Sequence, residues 1–120
     1  MAVKIKTKYG LINISKRSIA TVVGGAATDN YGVVGMASRN QIRDDVNVIL
    51  RKENYAKGIV IHQNASRLVV DIYIIVSYGT KISEVSKNVQ SKVRYNLKEM
   101  LGITADSINV IVQGVQVLGI

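Results

Sequence analysis

The strongest strand signal in the chain is residues 67–78, which read RLVVDIYIIVSY. One face of the predicted strand carries Leu68, Val70, Ile72, Ile74, Val76 and Tyr78, whereas the odd positions mix apolar side chains with Asp71 and Ser77. Because successive side chains of a strand point to opposite faces, this alternation predicts one fully buried face. The opposite face is predicted to be half apolar, so that it is suited to a second contact.

Residues 58–63 precede this strand across a turn at Asn64-Ala65-Ser66, which is the pattern of a β-hairpin. After the strand, Gly79-Thr80 opens a long helix that ends at Gly102, since glycine is the usual residue beyond a helix C-terminus. The apolar stripe of this helix is predicted to contain Ile82, Val85, Val89, Val93, Leu97, Met100 and Leu101. A final strand is predicted over about residues 107–118.

The first half of the chain is predicted to begin with a hairpin over residues 3–14, with Tyr9-Gly10 near its turn. A helix capped by Ser15 follows and runs to about Thr28, and residues 33–37 form a buried strand. Ser38 and Gln41 fit a capping box for a second, short helix. Its apolar residues at helical spacing are Ile42, Val46, Ile49 and Leu50.

These elements predict an α+β fold with the order β-β-α-β-α-β-β-α-β. The sheet is expected to be mixed and mostly antiparallel, with the helices on one face. No proline, low-complexity run or Gly/Ser linker interrupts the sequence, and 120 residues is a common length for one domain. We therefore treat residues 1–120 as a single domain with an aliphatic core.

Positive charge is concentrated at the N-terminal end. The net charge is +8, and residues 1–28 contain no acidic residue. The candidate anion-binding residues are Lys4, Lys6, Lys8, Lys16 and Arg17. The positive potential of these residues favours binding of anionic lipid, nucleic acid or an acidic protein, and it does not choose among them. The simpler interpretation is that these side chains are only solvated.

Residues suited to catalysis or metal binding are few. His62 is the only histidine and there is no cysteine, whereas zinc prefers several ligands of these two types. Gly24-Gly25 lacks the spacing of a dinucleotide-binding motif. We therefore expect no catalytic residue, metal, cofactor or small-molecule substrate.

One surface for association is predicted on the half-apolar face of the central strand. Asp71 interrupts an otherwise apolar run there, and we expect it to meet a Lys, an Arg or a second subunit. The predicted interface residues are Val69, Asp71, Tyr73, Ile75 and Ile111. Aromatic and aliphatic residues on neighbouring strands are typical of an interface between protein chains.

The absence of cysteine, of a basic-then-apolar leader and of an apolar run near 20 residues predicts a cytoplasmic protein.

Short segments along the whole chain resemble the alkaline shock protein family of Gram-positive bacteria. They are Ile14-Ser15, Ile19-Ala20, Gly25-Ala26-Ala27, Gly32-Val33-Val34-Gly35-Met36, Val70-Asp71, Val76-Ser77-Tyr78-Gly79, Ile82, Val85, Val89-Gln90, Val93, Val110 and Gly114-Val115. The resemblance is to a short, basic branch without charged terminal extensions. It implies a cytoplasmic, non-enzymatic envelope stress response protein that self-assembles and is held near the membrane by a partner with its own transmembrane segment.

Three functional hypotheses remain open from the sequence. The first is a homo-oligomeric scaffold or adaptor of the cell envelope. The second is a nucleic-acid-binding module that uses the basic N-terminal face, although the sheet lacks the paired aromatic residues on which RNA-binding sheets stack bases. The third is a regulatory subunit of a metabolic enzyme.

Overall fold

A computed structural model of the chain describes residues 2–38, 49–50, 57–65 and 67–117. The elements in chain order are β1 Ala2–Thr7, β2 Gly10–Ser15, α1 Lys16–Thr28, β3 Val33–Ala37, β4 Ile49–Leu50, β5 Ile59–Asn64, β6 Arg67–Ser77, α2 Ile82–Asn96 and β7 Ser107–Gln116. One π-helical turn, Leu97–Leu101, extends α2. The predicted α+β class, with a mixed and mostly antiparallel sheet, is confirmed.

The 11-residue strand β6 organises the main sheet. Strand β7 runs parallel to β6 from Val69 to Ser77 and lies along one side of it. Two antiparallel strands lie along the other side of β6: β5 pairs with residues 67–72, and β3 pairs with residues 74–76. Strand β4 pairs with β3 on its outer side.

One side of this sheet carries the core. The even-numbered residues of β6 from Leu68 to Val76 are all buried, as the alternation predicts. They belong to the same cluster as the apolar stripes of α1 and α2, which places both helices over one face. Ile108 of β7 is buried in this cluster, and Val110 and Val112 pack against it.

Strands β1 and β2 form a separate two-stranded sheet, the N-terminal hairpin. Val3 is buried in the core cluster, and Ile5 and Ile14 pack against it. The side-chain amide of Gln63 fastens the hairpin to β5: its Nε2 donates to the carbonyl of Lys4, and its Oε1 accepts from the Lys4 amide, both at 3.2 Å. A side chain thus supplies the pair of hydrogen bonds that a neighbouring strand would supply.

Local sequence explains where α1 begins and where the π-helical turn after α2 ends. The Ser15 hydroxyl accepts a hydrogen bond from the Ser18 amide at 3.1 Å and caps α1. Gly102 ends the π-helical turn with a φ of 67°, which glycine adopts without steric cost.

Three details of the predicted fold are wrong. Ile49 and Leu50 form strand β4 instead of part of a second helix; the rest of that predicted helix lies outside the described residues. Tyr78 follows the end of β6 and is exposed. Ile82 and Met100 are exposed although periodicity places them in the stripe of α2, because Ile82 lies at the first turn and the wider π-helical turn shifts the phase of the residues after Asn96.

Candidate interaction surfaces

The half-apolar face of β6 lies opposite the helices and continues onto β7. Tyr73 is paired with Ile111, and Val69 and Asp71 precede Tyr73 on the same face. All four side chains are half-buried. We call Val69, Asp71, Tyr73 and Ile111 the open sheet face.

Ile75 is predicted from the sequence to belong to this surface, but only 1% of it is exposed. It is buried outside the core cluster that the helices cover. Nearby, the side-chain amide of Gln113 on β7 reaches the carbonyl of Ser38, at the end of β3, at 3.4 Å. This part of the face is therefore closed, and Ile75 cannot contact a partner without rearrangement.

Asp71 lies at the centre of a polar network across three strands. Its Oδ1 accepts a hydrogen bond from the side-chain amide of Asn109 at 2.8 Å, and its Oδ2 lies 3.4 Å from Nε2 of His62. The Ser107 hydroxyl in turn donates to Oδ1 of Asn109 at 3.1 Å. Within its own chain, the carboxylate of Asp71 meets His62 of β5 and Asn109 of β7 where a Lys or Arg was expected.

The network has the residue types of a hydrolytic triad but not the geometry. His62 and Ser107 are both paired with Val69, from opposite sides of β6. Two interstrand spacings, or about 9.6 Å, therefore separate their backbones. The Ser107 hydroxyl is hydrogen-bonded to Asn109 instead of to the imidazole, so His62 is not placed to remove its proton.

Metal binding is not favoured by the same residues. Within the described ranges, no three His, Cys, Asp or Glu side chains converge on a position that could hold a metal ion.

The predicted anion-binding residues lie on and beside the N-terminal hairpin. Lys4 and Lys6 project from one face of β1, paired with Asn13 and Leu11. Lys8 lies in the turn, with its Nζ 5.0 Å from the centre of the Tyr9 ring. All three lysines are exposed, so the predicted solvent face is present.

Lys16 and Arg17 follow at the start of α1, where Lys16 is half-buried and Arg17 is exposed. The Ser18 amide is not available to an anion, because the Ser15 hydroxyl accepts its hydrogen bond. The structure thus supports a basic hairpin more directly than a site at the helix N-terminus.

A cleft of about 810 Å³ opens beside the outer edge of β1. The hairpin, the turn after β5 and the segment before β7 form its walls, and its lining residues are Val3, Lys4, Ile5, Lys6, Leu11, Gln63, Ala65, Leu68, Gly102, Ile103 and Thr104. The two charged residues in this lining are both lysines.

Sequence reasoning missed the roles of Asn109 and Gln63. Both contacts depend on how distant segments pair, since Asn109 is 38 residues from Asp71 and Gln63 is 59 residues from Lys4. The alternation of β7 does place Asn109 on the side opposite Ile108 and Val110, which is the one available signal.

In the described part of the chain, no helix is long and apolar enough to cross a membrane.

Comparison with known proteins gives a family match over almost the whole chain. Residues 4–117 match the model of the alkaline shock protein 23 family, whose description is "cell envelope-related function". No solved structure matches the chain significantly.

Two relatives from Gram-positive bacteria are similar from end to end. The "uncharacterized protein YloU" of Bacillus subtilis strain 168 is 55% identical over 117 residues, which cover 98% of each chain. The "uncharacterized protein Spy1614" of Streptococcus pyogenes serotype M6 is 56% identical over 119 residues, covering 99% of this chain and 98% of the relative. A more distant relative, the "uncharacterized protein YqhY" of Bacillus subtilis, is 28% identical over 110 residues, or 92% of this chain and 80% of the relative.

Proposed function

Since the chain belongs to the alkaline shock protein 23 family, whose function is described as cell envelope-related, we propose that it is a non-enzymatic envelope protein that acts as a self-associating scaffold or adaptor. The membership confirms the resemblance to alkaline shock proteins. The proposal adds a mechanism to the family's envelope-related function: the protein works by presenting surfaces to other macromolecules.

The observation that carries this proposal is the open sheet face. An aromatic and two aliphatic side chains surround Asp71 there, half-buried and supported by the central strand of the sheet. Interfaces between chains combine such an apolar centre with a few satisfied polar groups. Because Asp71 is already hydrogen-bonded within its own chain, covering it does not leave an unpaired carboxylate.

The outer edge of β7 adds a route to self-association. Within the described ranges β7 pairs only with β6, which leaves one edge without a strand. Its ten residues, SINVIVQGVQ, contain no charged side chain, although charges are a common means of preventing edge pairing. Two copies that pair through β7 would form one continuous sheet with adjacent open sheet faces, an arrangement with two-fold symmetry.

We place this assembly at the cytoplasmic side of the envelope, next to a membrane-anchored partner, as the alkaline shock protein resemblance implies. A second candidate function, binding of nucleic acid, is favoured by the basic hairpin and by a sequence pI of about 9.9. Gel shifts over a salt series separate the two functions, since electrostatic binding to phosphates weakens steeply with salt.

Light scattering of the purified chain over a range of concentrations tests the scaffold proposal. The expected result is a molar mass above that of a 13.1 kDa monomer, which Tyr73→Lys lowers to the monomer value. Tyr95→Lys is the matched control, because Tyr95 is an exposed tyrosine on α2. A monomer at every concentration would refute self-association.

A further inference from the structure

We propose that the N-terminal hairpin binds the surface of an anionic lipid bilayer directly, through its lysines and the apolar side chains near its turn. This deepens the envelope function proposed above by naming a surface that the protein touches. It does not depend on self-association, because a monomer carries the complete hairpin. Loss of oligomers and loss of lipid binding are therefore separate outcomes.

Charge is the first argument for an anionic partner. Lys4, Lys6 and Lys8 are exposed on the hairpin, and Arg17 is exposed just after it. No acidic residue occurs before Asp29 to offset them. Each Lys or Arg close to an anionic membrane strengthens binding roughly fivefold, so a group of this size is sufficient for detectable adsorption.

Exposed apolar side chains are the second argument. Tyr9 is 89% exposed, Leu11 is 53% exposed and Ile12 is 48% exposed, all within four residues at or after the hairpin turn. Leu11 lies opposite Lys6, on the same face as the lysines, whereas Ile12 lies opposite Ile5 on the other face of the hairpin. Tyrosine with its polar hydroxyl is favoured at the boundary between headgroups and acyl chains, where leucine also gains from burial.

The combination of exposed lysines with exposed aliphatic side chains favours a bilayer over nucleic acid as the partner. A surface that binds single strands pairs cations with aromatic rings on which successive bases stack. This hairpin has one aromatic ring, Tyr9. Its two exposed aliphatic side chains, Leu11 and Ile12, cannot stack on bases. An interfacial membrane segment, by contrast, uses a basic face together with apolar side chains that enter the headgroup layer.

The cleft beside β1 is consistent with the same partner. It opens along the hairpin edge, and its charged lining consists of Lys4 and Lys6. A lipid phosphate at this position would meet two cations and no carboxylate from the lining. The backbone of the hairpin is also held at Lys4 by the Gln63 amide, so this part of the backbone needs little ordering when the hairpin binds.

A tryptophan reporter tests the proposal, since the chain contains no tryptophan. Vesicles of phosphatidylglycerol and phosphatidylcholine in equal parts, at low salt, are expected to shift the emission of a Tyr9→Trp variant to shorter wavelength. Tyr31→Trp is the matched control. Tyr31 is also 89% exposed and also precedes a glycine with positive φ, but it lies beyond the other end of α1, about 20 Å along the 13-residue helix.

Charge reversal gives a second readout by co-sedimentation. Lys4→Glu with Lys6→Glu is expected to weaken vesicle binding by about 25-fold or more, because it removes two cations and adds two anions. Lys87→Glu with Lys98→Glu makes the same change in net charge on α2 and its π-helical turn, and is expected to have a much smaller effect. Circular dichroism confirms that both variants are folded.

Three results would overturn the proposal. The first is the absence of binding to phosphatidylglycerol vesicles at low salt by the wild-type chain. The second is equal loss of binding in the two charge-reversal variants, which would mean that only net charge matters. The third is a wild-type chain that binds single-stranded DNA tightly while Tyr9→Trp emission is unchanged by vesicles, which would assign the hairpin to nucleic acid.

Discussion

The side-chain amide of Asn109 donates a hydrogen bond to the carboxylate of Asp71 at 2.8 Å, across the parallel pair formed by β6 and β7. This bond explains how an acidic residue is accommodated in the middle of an apolar strand. The carboxylate is satisfied within its own chain, with His62 on the other side, before any partner binds. The apolar side chains around it are then free to form an interface.

Asp71→Ala is expected to lower the free energy of unfolding by about 1 kcal/mol, the usual net value of a side-chain hydrogen bond. A double-mutant cycle with Asn109→Ala isolates the pair, and urea unfolding measures it. We expect a coupling of about 0.5 kcal/mol or more. Strictly additive effects would show that the bond does not stabilise the fold.

His62→Ala is the comparison variant at the same carboxylate. We expect a smaller loss than for Asn109→Ala, because the His62 side chain is 57% exposed and lies 3.4 Å from the carboxylate. A larger loss for His62→Ala would assign the stabilising contact to the imidazole.

Gly32→Ala is expected to destabilise the fold by more than about 2 kcal/mol, because two penalties combine. Gly32 has a φ of 91°, and an added Cβ would lie 2.8 Å from Cγ2 of Val85. Thermal unfolding measures the loss.

Gly25→Ala provides the opposite case within the same protein. Gly25 lies in α1, and an added Cβ would meet no atom within 4 Å. Alanine there is expected to stabilise the helix by about 0.5–1 kcal/mol. Equal effects of the two substitutions would contradict the close contact between Gly32 and α2.

Periodicity predicted the parts of this fold in which one residue type repeats over a long segment. The even positions of β6 are buried from Leu68 to Val76 because about ten alternating residues leave only one register that buries all of them. The same reasoning failed for Ile49 and Leu50. Two adjacent apolar residues fit a helix or a strand equally well, and pairing with Met36 and Ala37 of β3 decides the outcome.

The candidate surfaces were predicted less completely than the fold. Alternation alone, which is a local property, places the lysines of β1 on one face. The burial of Ile75 and the contact between Asp71 and Asn109 depend on which distant segments meet. A single sequence does not specify the register of a parallel pair whose partners are 38 residues apart.

Gln63→Ala is expected to loosen the N-terminal hairpin without unfolding the core. The variant removes both hydrogen bonds between the Gln63 side chain and the backbone of Lys4. Hydrogen exchange at the Lys4 amide should therefore become faster, while the amide of the buried Val89 in α2 keeps its protection. Unchanged exchange at Lys4 would show that the hairpin is held by its apolar contacts alone.

The most direct test of the scaffold account is amide hydrogen exchange compared between dilute and concentrated solutions of the purified chain. We predict that concentration protects residues 107–116 of β7, whose outer edge has no strand partner within the described ranges, more than residues 69–72 of β6, which already pair on both sides, with no change along α2. Protection confined to the helices, or exchange that is independent of concentration in the open sheet face and β7, would contradict the claim that this protein assembles through its sheet.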